Sequence, residues 1–185
     1  MANLTWDQVP EEIESITPEE IAKAESGNVK PIGKYLVVVK GSEPKQINPK
    51  TKPGEAPKDS YMIANLKLEI EEVVEIDHKP VNGNEYDQLC GKIIWDGVNL
   101  PRSGENEIFK SRRIHILHAA GIISKTSTAI PQKAFSELIV GKRFLIDYDD
   151  NVNKETGKVF RQVSLFGYHP PEEAVKVSES DIADI

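Results

Sequence analysis

The residues of this chain that could do chemistry are few and scattered. Cys90 is the only cysteine among 185 residues, which excludes an internal disulfide and a cysteine zinc cage. Its neighbours Leu89 and Gly91 suit an ordinary small hydrophobe better than a nucleophile. His115 and His118 have the i, i+3 spacing that puts two imidazoles on one side of a helix, but no third ligand accompanies them. Asp147-x-Asp149-x-Asn151 begins like a calcium loop. It then places Val152 where the turn needs glycine and Lys158 where a bidentate glutamate belongs, so a polar hairpin is the better reading. Glycine-rich phosphate loops, a G-x-S-x-G elbow and H-E-x-x-H are all missing. The sequence therefore predicts no enzyme, no catalytic residue, no metal and no cofactor. A metal-holding role for Asp147, Asp149 and Asp150 ranks last, because all three sit in or beside one turn.

Cations interleaved with aromatics are the strongest chemical signal. Single-stranded nucleic acid is held by cations that follow the phosphates and by flat side chains on which bases stack. The candidate cations are Lys34, Lys50, Lys52, Lys58, Lys67, Arg102, Arg112, Arg113, Lys142, Arg143, Lys158 and Arg161. The candidate platforms are Tyr61, on a polar strand face with Asn65 and Lys67, and Phe160 and Phe166, aligned with Gln162 and Ser164. Trp95 is a further platform that alternation does not place.

The charge distribution points the same way. The formal net charge is -7, yet residues 1–29 hold seven acids against Lys23 alone, and residues 171–185 hold five against Lys176. Residues 30–170 are left with 21 basic and 18 acidic side chains. A mildly basic body between two acidic arms suits a polyanion partner. The C-terminal arm is acidic and ends on an apolar residue, and Asp181, Asp184 and Ile185 are its candidate contacts to partner proteins. Electrostatics also lets this arm lie in a cationic groove and leave it when nucleic acid arrives. Hydrophobic residues make up 38% and charged residues 29%, no stretch approaches a membrane span, and residues 1–10 lack the basic flank and apolar core of a secretory signal. The expectation is a soluble cytoplasmic protein.

The elements that must position these residues read mainly as strands. Thr17, Pro18 and Glu20 form a capping box for a short helix in the N-terminal arm, which Gly27 stops. Residues 34–40 are a β-branched strand. Residues 48–59 carry three prolines, one glycine and three lysines and can only be a basic loop. From Tyr61 to Ile76 apolar and polar residues alternate until Glu71-Glu72-Val73-Val74, where a bulge is expected. A short strand fits 92–98, the main helix 105–120 with Gly121 as its stop, and a second short helix 131–138. Strands at 142–148 and 158–166 close the domain around a polar turn. Five strands with a helix between the third and fourth is the order of an OB-fold barrel. A small α+β sheet with a helix on one face gives a similar string. The barrel is favoured, because a strand as long as the second needs curvature.

Gly33-Lys34-Tyr35 opening a strand, the long strand after Tyr61, Ala119-Ala120-Gly121 ending the helix, and Gly141-Lys142-Arg143-Phe144 before the closing strand resemble a family of uncharacterised phage proteins. That family is treated as OB-fold and single-stranded DNA-binding-like, and is associated with replication and recombination. The resemblance spans roughly residues 30–170 and implies a non-enzymatic single-stranded DNA-binding protein. The acidic tail resembles that of bacterial and phage single-strand binding proteins but lacks their proline–phenylalanine ending. Two readings follow: a DNA-binding protein whose tail contacts replication or recombination proteins, and a protein-interaction or structural component of a phage or bacterial complex. A homo-oligomer fits either, and the choice between DNA and RNA stays open.

Overall fold

The computed structural model describes residues 30–154 and 156–174. The strands are β1 (Gly33–Ile47), β2 (Tyr61–Ile76), β3 (Lys79–Pro80), β4 (Ile93–Asn99), β5 (Arg143–Val152) and β6 (Val159–His169), with helix α1 (Glu107–Ala119) between β4 and β5. All strand pairs are antiparallel and build one sheet in the order β3-β2-β1-β5-β6, with β4 pairing further along the outer side of β2. The helix capping box in the N-terminal arm, and Asp181, Asp184 and Ile185 in the tail, lie outside the described residues.

Alternation holds over most of β2, although Met62, in phase with the core residues, is 41% exposed. Ala64, Leu66, Leu68 and Ile70 are buried, while Lys67 between them is exposed. They meet Tyr35, Val37 and Val39 of β1, Ile94 and Val98 of β4, Phe144 and Ile146 of β5, and Ile116 and Leu117 of α1 in one core. The expected bulge in β2 is present. Tyr35 pairs with Val73, Leu36 with Glu72 and Val37 with Ile70, so Val74 and Glu71 have no partner on β1 and the strand bends there. At the start of α1, Asn106 Oδ1 accepts the Ile108 N–H (3.0 Å); at its end Gly121 takes φ 66°, where its N–H reaches the His118 carbonyl.

Three expectations are corrected. The sheet is not closed into a barrel: β4 and β6 share no ladder, and the fold is an open antiparallel sheet with one helix, as in the α+β alternative. The physical reason is Arg112 of α1. Its guanidinium donates to the Gly97 carbonyl on β4 (2.9 Å) and to the Leu165 carbonyl on β6 (3.1 Å), occupying acceptors that a closing ladder would use. Residues 131–138 hold only one π-helical turn, Ala134–Leu138. The last two strands also run further into their hairpin than composition suggested, and β6 is interrupted. Val163 pairs with Tyr148 and Tyr168 with Ile146, so residues 164–167 bulge out opposite Asp147 alone. A Cβ on Gly167 would stand 3.0 Å from Asp147 Cβ, so this tight excursion needs glycine.

Candidate nucleic-acid interface

The outward side of β2 and β4 brings cations and aromatics together. With Ala64, Leu66, Leu68, Ile94 and Val98 turned into the core, strand geometry turns Ile63, Asn65, Lys67 and Trp95 outward. Pairing sets Lys67 directly opposite Trp95, and Asn65 opposite Gly97. Opposed side chains of an antiparallel pair stand about 5 Å apart at Cβ, so Lys67 and Trp95 leave the sheet from neighbouring positions. Trp95 keeps half of its surface exposed, and Lys67 forms no ion pair among the described residues. Alternation did not place Trp95; the Lys67 register does.

At the far end of the same face Arg102 lies over the Tyr61 ring, 4.7 Å from its centroid. The pair borders a cleft of about 730 Å³ with Pro49, Pro57, Lys58 and Ser103. Lys50, Lys52 and Lys58 stand on the exposed loop 48–60 beside it. Lys58 is 3.4 Å from Glu55, an exposed pair that water screens, whereas Lys50 has no ion-pair partner among the described residues. Tyr61, Lys67 and Trp95 therefore share one side of the sheet, with Arg102 and the lysine loop at its Tyr61 end.

The other predicted residues do not join it. Gly33 pairs with Tyr148, so the β5–β6 hairpin carrying Lys158, Phe160 and Arg161 leaves the sheet at the opposite end of β1 from the lysine loop. Away from the lysine loop the cations are matched by acids: Lys34 with Glu75 (3.9 Å), Arg143 with Glu71 (2.6 Å), and Arg161 with Asp150 (2.8 Å). Lys142 stands just before β5, its carbonyl accepting the Val39 N–H (2.9 Å), with β1 and β2 between it and the Trp95 strand. Phe166 does not share a strand face with Phe160; it sits in the β6 bulge, edge-on to His115 with centroids 5.6 Å apart.

Arg112 and Arg113 require outright correction, because both are buried, Arg113 to 2% exposure. Besides its two strand carbonyls, Arg112 donates from Nη2 to both Asp96 oxygens (3.0 and 2.8 Å). Tyr168, fully buried, donates its hydroxyl to Asp96 Oδ2 at 2.6 Å. Burial and the adjacent Asp96 carboxylate push the Tyr168 hydroxyl well above the usual tyrosine range, so it remains a donor. Arg113 forms a two-pronged pair with Glu105 and donates to the Asn99 carbonyl (2.9 Å). The hydrogen bond from Arg113 holds the Glu105 carboxyl below its ordinary range. These guanidinium groups close the interior and cannot meet a phosphate without dismantling it. Sequence reading missed Asp96 as the counter-ion of Arg112. The available signal is its position between Ile94 and Val98 on an otherwise apolar strand face.

The acids and histidines are engaged separately. His169 Nε2 meets Asp147 Oδ2 at 2.8 Å, Asp150 holds Arg161, and Asp149 Oδ1 accepts the Asp150 N–H. Among the described residues, no three of His, Cys, Asp or Glu come together as a metal-ligand set. No helix of the described residues is long and apolar enough to cross a membrane.

The class defined so far is an open antiparallel β-sheet with one covering helix and an exposed cation–aromatic face. Comparison with known proteins adds no kinship: no family model matches the chain, and no curated protein is significantly similar to it.

Proposed function

We propose that this protein is a non-enzymatic single-stranded nucleic-acid-binding protein, in line with the phage replication and recombination family that its sequence resembles. The observation that carries the reading is the pairing of half-exposed Trp95 with Lys67, which forms no ion pair among the described residues, on the same face as the Arg102–Tyr61 stack. Such a surface offers bases a place to stack and phosphates a cation beside each stack. Among the long strands the helix falls between the third and fourth, which is OB-fold order. OB-folds bind oligonucleotides on the face of their second and third strands and on the adjoining first hairpin loop, here the β2–β4 face and the lysine loop. The protein then works as an OB-like sheet left open at its seam, in the cytoplasm, on DNA exposed during replication or recombination.

Fluorescence anisotropy with a labelled oligonucleotide tests this. Single strands bind more tightly than blunt duplex, and log K falls against log salt with a slope of roughly -2 to -3.5 for about 3–5 neutralised phosphates. Equal or better binding to duplex, or no binding at low salt, rejects the reading and favours the protein-interaction alternative.

A further inference from the structure

A second cleft, of about 900 Å³, opens between α1 and the segment 123–130 that follows it. Its helical wall is the stripe Glu107, Lys110, Ile114 and His118, whose spacings of three and four residues keep them on one side of α1. Ile114 is 42% exposed there, and half-buried Ile123 and Ile130 extend the apolar surface. Lys125 stands on a short turn tied by its neighbours' hydroxyls: Ser127 Oγ accepts the Ser124 N–H (2.9 Å), and Ser124 Oγ lies 3.0 Å from Thr126 Oγ1. Arg102, Lys110 and Lys125 all line the cleft and form no ion pair among the described residues. Glu105 is committed to Arg113, so among the described residues of the wall Glu107 alone opposes these three cations. The cleft also adjoins the proposed binding face. Arg102 and Gly104 line both this cleft and the one beside Tyr61, and Arg102 lies over the Tyr61 ring. Gly104 puts no side chain on the rim the two clefts share.

We propose that this cleft is a second subsite for the same single strand, which runs from Trp95 and Lys67 past Tyr61 and Arg102 into it. Lys110 and Lys125 take phosphates there, and the Ile114 surface takes a base. The inference rests on the single-strand reading above and assigns the course of the strand once it leaves the sheet. Lys67 and Tyr61 are separated by on the order of 20 Å along β2. A short strand is therefore held by the sheet face alone, and only a longer one gains the cleft. Ligand pockets of about 300–1,000 Å³ enclose molecules of drug size, so a nucleotide fits. The shared Arg102 and Gly104 favour nucleic acid over an acidic peptide as occupant, because they lead from a base-stacking ring directly into the cleft.

Anisotropy of the full chain with labelled oligothymidylates of about 4 to 16 nucleotides, the range of site sizes for one OB-fold, tests this. The variant is Lys110→Ala with Lys125→Ala, and the charge control is Lys79→Ala with Lys154→Ala; all four lysines are exposed, and the control pair lines neither cleft. Wild-type affinity is expected to rise with length. The variant matches wild type on the shortest strands that bind and falls behind on the longest, where its slope of log K against log salt is flatter by about 1.4, two phosphates of a single strand. Ile114→Asp, also at an exposed position, loses the gain with length as well, whereas the charge control keeps it. Equal losses at every length, or equal losses in the charge control, overturn the subsite and leave only a general effect of charge. A variant that follows wild type at every length also overturns it and assigns the cleft to another ligand. In both cases a Trp95→Ala loss at all lengths leaves the β2–β4 reading intact. Wild type that binds no strand of any length rejects that reading, and this inference with it.

Discussion

Replacing Trp95 by alanine separates stacking from charge on the proposed face. Half of the Trp95 surface is already exposed, and the residue is on an edge strand whose inward neighbours Ile94 and Val98 carry the packing. Truncation therefore costs little stability, within about 1 kcal/mol. A base stacked on an aromatic side chain is worth about 1–3 kcal/mol, which converts to a loss of affinity of roughly 5- to 150-fold at about 1.4 kcal/mol per decade. The loss persists at every salt concentration, because removing an uncharged platform releases no counterion. Lys67→Ala gives the opposite signature: a smaller loss concentrated at low salt, with the slope of log K against log salt flatter by about 0.7, one phosphate on a single strand. Since the two residues are directly opposed, a double-mutant cycle is expected to show a coupling of about 0.5–3 kcal/mol. The assay is anisotropy of a labelled oligothymidylate over a salt series, with Trp95→Phe as the conservative control that recovers part of the loss. Wild-type affinity in Trp95→Ala at all salts refutes the placement of the strand on β2 and β4. A Trp95→Ala loss that vanishes in high salt refutes stacking as its cause.

Alanine at Lys50, Lys52 and Lys58 together is expected to weaken binding for all sequences alike and to flatten the salt slope; an unchanged slope places the strand elsewhere. The thermal midpoint stays where it was, because exposed loop charges contribute little to folding. Asp96→Ala leaves the buried Arg112 guanidinium and the Tyr168 hydroxyl without their acceptor and is expected to cost about 3–5 kcal/mol in urea unfolding, whereas Tyr168→Phe costs about 1.5–3 kcal/mol; an Asp96→Ala loss below 1 kcal/mol would show the seam to be wet. The carboxyl of Glu105 is held low in the fold, so its contribution is present above its ordinary value of 4.5 and is lost as pH falls below that value toward its lowered one. A Glu105→Gln variant should lose this acid sensitivity, and equal acid slopes in the two proteins count against the pair. Deleting residues 172–185 should raise affinity for short oligonucleotides at low salt and less so at high salt, and a scrambled tail of equal charge that inhibits equally well shows the effect to be Coulombic only.

Local order was legible wherever one residue type answers one local constraint. The alternation of Ala64, Leu66, Leu68 and Ile70 determined which side of β2 enters the core, and the proline–glycine–lysine composition of residues 48–59 determined an exposed loop. The falter at Glu71–Val74 marked the bend, and Gly121 marked the end of α1, because each depends only on its own backbone. The same local reading put Tyr61 and Lys67 on one face. What only the tertiary structure decided are the distances between segments. Arg112 and Arg113 look like surface cations in the sequence of α1. They become interior groups only because the helix is laid over the sheet, where the Gly97 and Leu165 carbonyls and Asp96 await Arg112 and the Asn99 carbonyl and Glu105 await Arg113. That placement leaves the sheet open where strand counting suggested a barrel. The register of Gly33 with Tyr148 likewise sends Lys158, Phe160 and Arg161 to one end and the lysine loop to the other. Pairing register is a property of two strands at once, and no single stretch of sequence contains it.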